Sequence, residues 1–186
     1  MSCSGSGAIT CPKCDANQCA YTIQYGDGSG YSAHLFTDVV TVSNLRLLRQ
    51  SVGAIYKEVT PNGPFEPYPV DGIIGLAYST ISETNSPTVM DSLVSTNQVA
   101  NIFSMCTTGA GGAMELGGIL NYYSGAIQWT PLLTPHYFYS VYVNDVQVGG
   151  QSLGLSATTY NSGGSIVDRY FIFSWFYSST WPSMLQ

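Results

Sequence analysis

The sequence predicts an all-β fold, mainly antiparallel, with one short helix. Charged residues make up only 9% of the chain, while it holds 20 Gly and 14 Tyr, a composition that suits strands and turns rather than long exposed helices. Residues 20–42 alternate apolar and polar side chains on either side of Gly26-Asp-Gly-Ser-Gly30, the period of two paired strands around a glycine-bearing hairpin tip. Only one stretch, Ser86-Pro-Thr-Val-Met-Asp-Ser-Leu-Val, spaces its apolar residues as a helix does.

The elements follow in order. The hairpin of residues 20–42 comes first, and its tip is an arm able to fold over something. Ser51 to Val59 reads as a further strand, and Pro61 to Pro69, with four prolines and Gly63, as a surface loop. Val70 to Leu76 is an apolar run broken by Gly72 and Gly75, which predicts a buried strand closely approached by another backbone. Ser86 is placed as N-cap and Pro87 at the first position of the helix. Phe103 to Cys106, Ala113 to Leu116, Ala126 to Pro131 and Phe138 to Val148 are read as strands between glycine turns. Val146-Gln-Val-Gly-Gly150 repeats the strand-then-turn character of Val40-Thr-Val-Ser-Asn44.

With 186 residues the chain is long enough for one well-buried lobe and a remnant of another. A net charge of −6 with five scattered Lys and Arg leaves no electrostatic footprint for nucleic acid or an anionic membrane. Cys3, Cys11, Cys14 and Cys19 crowd the first twenty residues, and Cys106 stands apart. Cys11-Pro-Lys-Cys14 has the spacing of a zinc knuckle or a redox pair, but no second ligand pair follows, so disulfides are favoured over metal. The odd fifth cysteine implies a partner lost or on another chain. No apolar run reaches membrane-spanning length, and Met1-Ser-Cys-Ser-Gly-Ser-Gly is not a signal peptide. Disulfides without an export signal lead to the expectation of a fragment, or of a true N-terminus upstream.

Three blocks carry the chemistry: Tyr25-Gly-Asp-Gly-Ser29, Asp71-Gly-Ile-Ile-Gly-Leu-Ala-Tyr78 and Ser162-Gly-Gly-Ser-Ile-Val-Asp168. Between them lie Phe103-Ser-Met-Cys106, Met114-Glu-Leu-Gly-Gly-Ile119, Tyr122-Tyr-Ser-Gly125 and Ile127-Gln-Trp-Thr-Pro131. In this order the blocks resemble the pepsin-like (family A1) aspartic endopeptidases, from Cys19 to Asp168. The resemblance implies an incomplete bilobal fold, with residues 1–125 a remnant of the N-terminal lobe with its flap and residues 126–168 the start of the C-terminal lobe. It implies cleavage of internal peptide bonds in an extended polypeptide substrate by an Asp-activated water, with no metal or organic cofactor. It also implies a monomer in a secreted, lysosomal or vacuolar setting.

In that resemblance Tyr25 matches the flap tyrosine, Gly26, Gly28 and Ser29 the flap tip, and Asp168 the second catalytic aspartate. Such enzymes need two carboxylates sharing one proton across a water, because like charges so close cannot both ionise, and the pair then supplies acid and base together. Each Asp sits in an Asp-Thr/Ser-Gly turn, and no such triplet occurs anywhere in this chain. The first catalytic aspartate is thus missing. Arg169 and Tyr170 stand where a hydroxyl residue and a glycine are required.

One choice of codons for Asp168 to Ile172 is GAT CGG TAC TTC ATT, and inserting two nucleotides, AG, after the first turns the reading into Asp-Ser-Gly-Thr-Ser. Residues 169–186 are accordingly read as an aberrant, out-of-frame tail. His34 and His136 have no nucleophile motif to serve, so a hydrolase triad is not expected. Two other readings are a non-catalytic peptide-binding pseudoprotease and a non-functional gene-model fragment.

Overall fold

The computed structural model describes residues 10–26, 28–59, 72–108, 111–121 and 125–168. The chain divides into two compact units, Met1–Ser124 and Gly125–Gln186. The architecture is mostly antiparallel β, with one helix of seven residues and a shorter one of five.

The first unit is built on a four-stranded antiparallel meander of β1 (Lys13–Asp15), β2 (Gln18–Gln24), β3 (Gly30–Val42) and β4 (Leu45–Val59). Alternation along β2 and β3 gives the sheet two faces. One face carries Tyr21 and Ile23 opposite Ala33 and Tyr31, and the other carries Ala20 and Thr22 opposite His34 and Ser32. Ala33 and Leu35 are fully sequestered on the first face, and Ala20 on the second. Two register shifts, at Ser32/Ala33 and at Asp38/Val40, bend the long β3–β4 ladder. Ser43 and Asn44 form the two-residue turn between these strands, with Ser43 at φ 55°.

The helix α1 (Val89–Ser95) packs on β4 through Leu93 and Met90, both buried, and Leu47 is buried on the strand. Each such side chain contributes roughly 1.5–3 kcal/mol when fully buried. Gln50, almost wholly buried on β4, donates its amide to the Pro87 carbonyl at 2.9 Å, which fixes the chain entering the helix. The helix starts two residues later than the expected Ser86 cap. Thr88 is the N-cap: its hydroxyl accepts from the Asp91 N–H at 3.1 Å while the Asp91 carboxylate accepts from the Thr88 N–H at 3.0 Å. This reciprocal box satisfies two donors, whereas the Ser86 hydroxyl is buried against Thr84 at 2.8 Å. A hairpin of β5 (Phe103–Thr108) and β6 (Gly111–Leu116) follows, where strands were expected.

The second unit holds β7 (Ser140–Val141), β8 (Gln147–Val148), β9 (Gln151–Ser152), α2 (Ala157–Asn161) and β10 (Ser165–Ile166). β8 and β9 form a hairpin across Gly149 and Gly150, at φ 58° and 78°, so the expected strand-then-turn unit is present. β7 pairs with β10. Asn161 docks α2 by accepting from the Val143 N–H at 3.0 Å and donating to the Val143 carbonyl at 2.8 Å.

Three expected strands differ. Residues 72–76 lie outside any strand, and Ile73 and Ile74 are more than half exposed, because no ladder partner meets them among the described residues. Residues 126–131 are likewise unladdered, with Trp129 at 74% exposure. Of 138–148 only Ser140–Val141 and Gln147–Val148 pair. An apolar run becomes a strand only where a neighbour accepts its backbone hydrogen bonds. The proline-rich segment of residues 61–69 and the tail of residues 169–186 lie outside the described residues.

Candidate active site

The hairpin tip between β2 and β3 gathers four of the expected site residues. Tyr25 N–H donates to the Ser29 carbonyl at 2.7 Å, and Gly28 N–H donates to the Tyr25 carbonyl at 3.0 Å, closing the turn. Gly28 sits at φ 84°, in the left-handed region that side chains avoid, so its glycine is required by the turn. Gly26 is exposed with open space around it and does not share that requirement. Ser29 is buried at 6% exposure. Behind the tip, a side chain at Gly30 would run into the Ile23 carbonyl, so glycine there lets the two strands close. Asp27 lies outside the described residues.

Tyr25 is half-buried and belongs to a set of three tyrosines. Its ring lies 6.3 Å from that of Tyr31 at 52°, and Tyr31 in turn meets Tyr21 edge-on at 6.1 Å and 74°. Burial pushes the Tyr21 phenol well above its ordinary value, with Tyr31 and Tyr25 adding to the effect. Tyr21 and Tyr31 were not singled out in the sequence. The signal for Tyr21 was present, since Tyr21, Ile23 and Tyr25 follow the period of one strand face.

Asp168 is exposed and follows β10 in the second unit. Its lead-in is well held: Ser165 is buried with its hydroxyl donating to the Tyr160 carbonyl at 2.9 Å, and Val167 N–H donates to the Tyr139 carbonyl at 2.9 Å. Arg169 and Tyr170 lie outside the described residues. The hairpin-tip residues and Asp168 thus belong to different units of the chain.

Cys11 is joined to Cys19, with Cα atoms 5.4 Å apart, and Cys14 is also disulfide-bonded. That settles the choice between zinc-knuckle spacing and disulfides for Cys11, and no cluster of metal-ligating side chains occurs among the described residues. Cys106 is a free, exposed thiol. His34 lies on β3, stacked on Tyr56 at 4.4 Å, and its Nε2 is 3.0 Å from Asp15 Oδ2. It acts there as a strand histidine between neighbours.

The sequence profile of the eukaryotic aspartyl proteases matches residues 10–169. The chain belongs to this family. Pepsin B of Canis lupus familiaris is 37% identical over 142 residues, covering 73% of this chain and 35% of that protein. Cathepsin D of Dictyostelium discoideum is 35% identical over 164 residues, covering 82% and 41%. Chymosin of Ovis aries is 35% identical over 133 residues, covering 69% and 34%. This aspartyl protease chain therefore spans roughly a third to two-fifths of the length of those relatives. No helix among its described residues is long and apolar enough to cross a membrane.

Proposed function

We propose that this chain carries the flap and the second aspartate of an aspartic endopeptidase that hydrolyses internal bonds of extended polypeptides with an Asp-activated water. The observation that carries the reading is the β2–β3 hairpin, whose glycine-dependent tip presents Tyr25 within a chain of the aspartyl protease family. A hairpin of this kind is a lid that covers a bound peptide and excludes water from the reacting bond, Tyr25 serving as its inner wall. Asp168 is one half of a dyad that shares a proton across the nucleophilic water. No metal or organic cofactor enters this chemistry, and the disulfides suit a secreted, lysosomal or vacuolar compartment.

A single carboxylate cannot hold the shared-proton state, and the chain has no Asp-Thr-Gly or Asp-Ser-Gly triplet. The chain as written is therefore inactive alone. The same absence, with Arg169 and Tyr170 after Asp168, favours a second reading in which the chain binds extended peptides without cleaving them.

Sequencing the transcript from upstream of Met1 through codon 168, together with an acid-pH cleavage assay, tests both. The expected transcript has an Asp-Thr/Ser-Gly codon triplet upstream and a frame that reads Asp-Ser-Gly at Asp168. The expected assay shows no cleavage by the chain as written. Cleavage that a statine-containing peptide blocks would overturn the inactivity. A transcript confirmed with both ends as written would overturn the protease assignment, and saturable peptide binding would then establish the second reading.

A further inference from the structure

We infer that Tyr31 and Tyr21 are positioning residues for Tyr25, forming a ladder of three rings along one sheet face that sets the orientation of the flap tyrosine. The inference rests on the flap reading given above.

The register explains why these three meet. Tyr21 is paired with Ala33 and Ile23 with Tyr31 across β2 and β3, so Tyr31 stands on β3 diagonal to Tyr21. Beyond the ladder, Tyr25 closes on Ser29, which places Tyr31 diagonal to Tyr25 as well. Diagonal neighbours on one face are far apart for small side chains but within reach of aromatic ones, whose tilted and edge-on pairs attract beyond the area they bury. Tyr31 is thus the middle rung, touching a ring on either side at 6.1 and 6.3 Å.

The far end of the ladder is anchored. Ala33, fully buried, and Gly53 on β4 leave the space in which the Tyr21 ring lies, and any side chain at Gly53 would collide with the Tyr21 hydroxyl. Tyr25 is the rung at the tip of the hairpin, and a side chain there without fixed neighbours would sample several rotamers before any peptide arrived. Holding it ready lowers the ordering cost of lid closure.

Fluorine NMR of the fluorotyrosine-labelled chain tests this, with the Tyr25 resonance assigned by loss in Tyr25→Phe. The Tyr25 signal is expected to stand apart from that of free fluorotyrosine. Tyr31→Ala moves it towards the free position, and Tyr31→Phe, which keeps the ring, restores most of the displacement. Tyr21→Leu, two rungs away, gives a smaller move in the same direction. Tyr56, stacked on His34, reports whether the sheet is intact in each variant. If Tyr31→Ala disturbs Tyr56, Tyr21→Leu alone decides the question. A Tyr25 signal unmoved by both substitutions overturns the ladder. Adding a statine-containing peptide separates the two ideas, because a Tyr25 signal that depends on Tyr31 yet ignores the peptide keeps the ladder and defeats the flap reading.

Discussion

Gln98 closes both backbone groups of Arg46 with one side chain: its Oε1 accepts from the Arg46 N–H at 3.2 Å and its Nε2 donates to the Arg46 carbonyl at 3.0 Å. The amide therefore serves as one further residue of sheet against β4, and it ties the segment just after α1 to the start of that strand. β4 is the edge of the four-stranded sheet, so this side chain also covers backbone that would otherwise invite another strand.

Replacing Gln98 by Ala removes both bonds but leaves the exposed Arg46 backbone able to bond water. The expected loss is about 1 kcal/mol, the scale of solvent-exposed hydrogen bonds. Gln98→Glu keeps the acceptor, turns it towards the Arg46 N–H, and loses the donor, so an intermediate loss is expected. Urea unfolding midpoints of the three chains check the order, and Gln98→Ala equal to wild type would show that the clamp contributes nothing.

Gly26 and Gly28 should respond differently to alanine. Gly28 at φ 84° forces a side chain into the left-handed region, at a cost of about 1 kcal/mol. Nothing lies within 4 Å of a Cβ added at Gly26, and its backbone is not in that region. Gly26→Ala should change stability by less than about 0.5 kcal/mol, because it only restricts the unfolded chain. Thermal unfolding of both variants tells the two positions apart.

This contrast shows where the fold was legible. The β2–β3 hairpin could be read because alternation and glycine spacing are local properties, and so could the β8–β9 turn at Gly149-Gly150. Ile73 and Ile74 could not, since an apolar run does not by itself say that it will be covered, and a ladder needs a partner that local sequence does not name. The start of α1 was missed by two residues because Ser86 and Thr88 are both good caps, and only the reach of Asp91 decides between them. α2 was missed outright: Ser156 caps it through the Thr159 N–H, but Ala157 to Asn161 is too short to show an apolar period. At the hairpin tip, the place of Tyr25 was legible from its block of glycines, whereas Tyr31 meets it through cross-strand register alone.

Asp145 supplies a pH-dependent prediction. Its carboxylate accepts from the Ser152 hydroxyl at 2.7 Å and from the Gln147 amide at 3.0 Å, and these bonds hold it below the usual carboxylate range. A group whose folded value is depressed stabilises the fold above its unfolded value, and that contribution fades as pH falls through the folded one. The β8–β9 hairpin should therefore keep this support through mild acid and lose it only in strong acid. Ser152→Ala removes the largest cause, and the Asp145 titration should move up towards its ordinary position. Carboxyl carbon NMR titration of both chains reads the shift directly, and an unchanged midpoint would show that the Ser152 bond does not persist in solution.

The Thr88–Asp91 box should act as a reciprocal unit. Thr88→Ala is expected to cost about 1 kcal/mol, the usual effect of losing an N-cap hydroxyl. Asp91→Ala removes the return bond to the Thr88 N–H and the favourable charge in the first turn, with a smaller loss. In the double variant the two losses should sum to more than the measured total, because each bond positions the other residue. Simple additivity in a double-mutant cycle would mean that the two bonds form independently.

Cys11 and Cys19 are eight residues apart, and the chain-entropy account of a loop that size gives about 2.5 kcal/mol of stabilisation from the cross-link. The two ends differ in their surroundings, since Cys19 is 1% exposed beside β1 while Cys11 is only partly covered. Cys11→Ala and Cys19→Ser both remove the bridge, but the second also places a hydroxyl in a buried, apolar position, which costs a further 1–3 kcal/mol, roughly, if no partner is found. Unfolding under non-reducing conditions should therefore rank wild type above Cys11→Ala and Cys11→Ala above Cys19→Ser. Adding reductant to wild type opens the Cys14 bridge as well, so its midpoint should fall to that of Cys11→Ala or below it. If reductant leaves the wild-type midpoint in place, the bridge closes a loop that stays ordered without it, and β1 is then held mainly by its ladder to β2 and by the contact of Asp15 with His34.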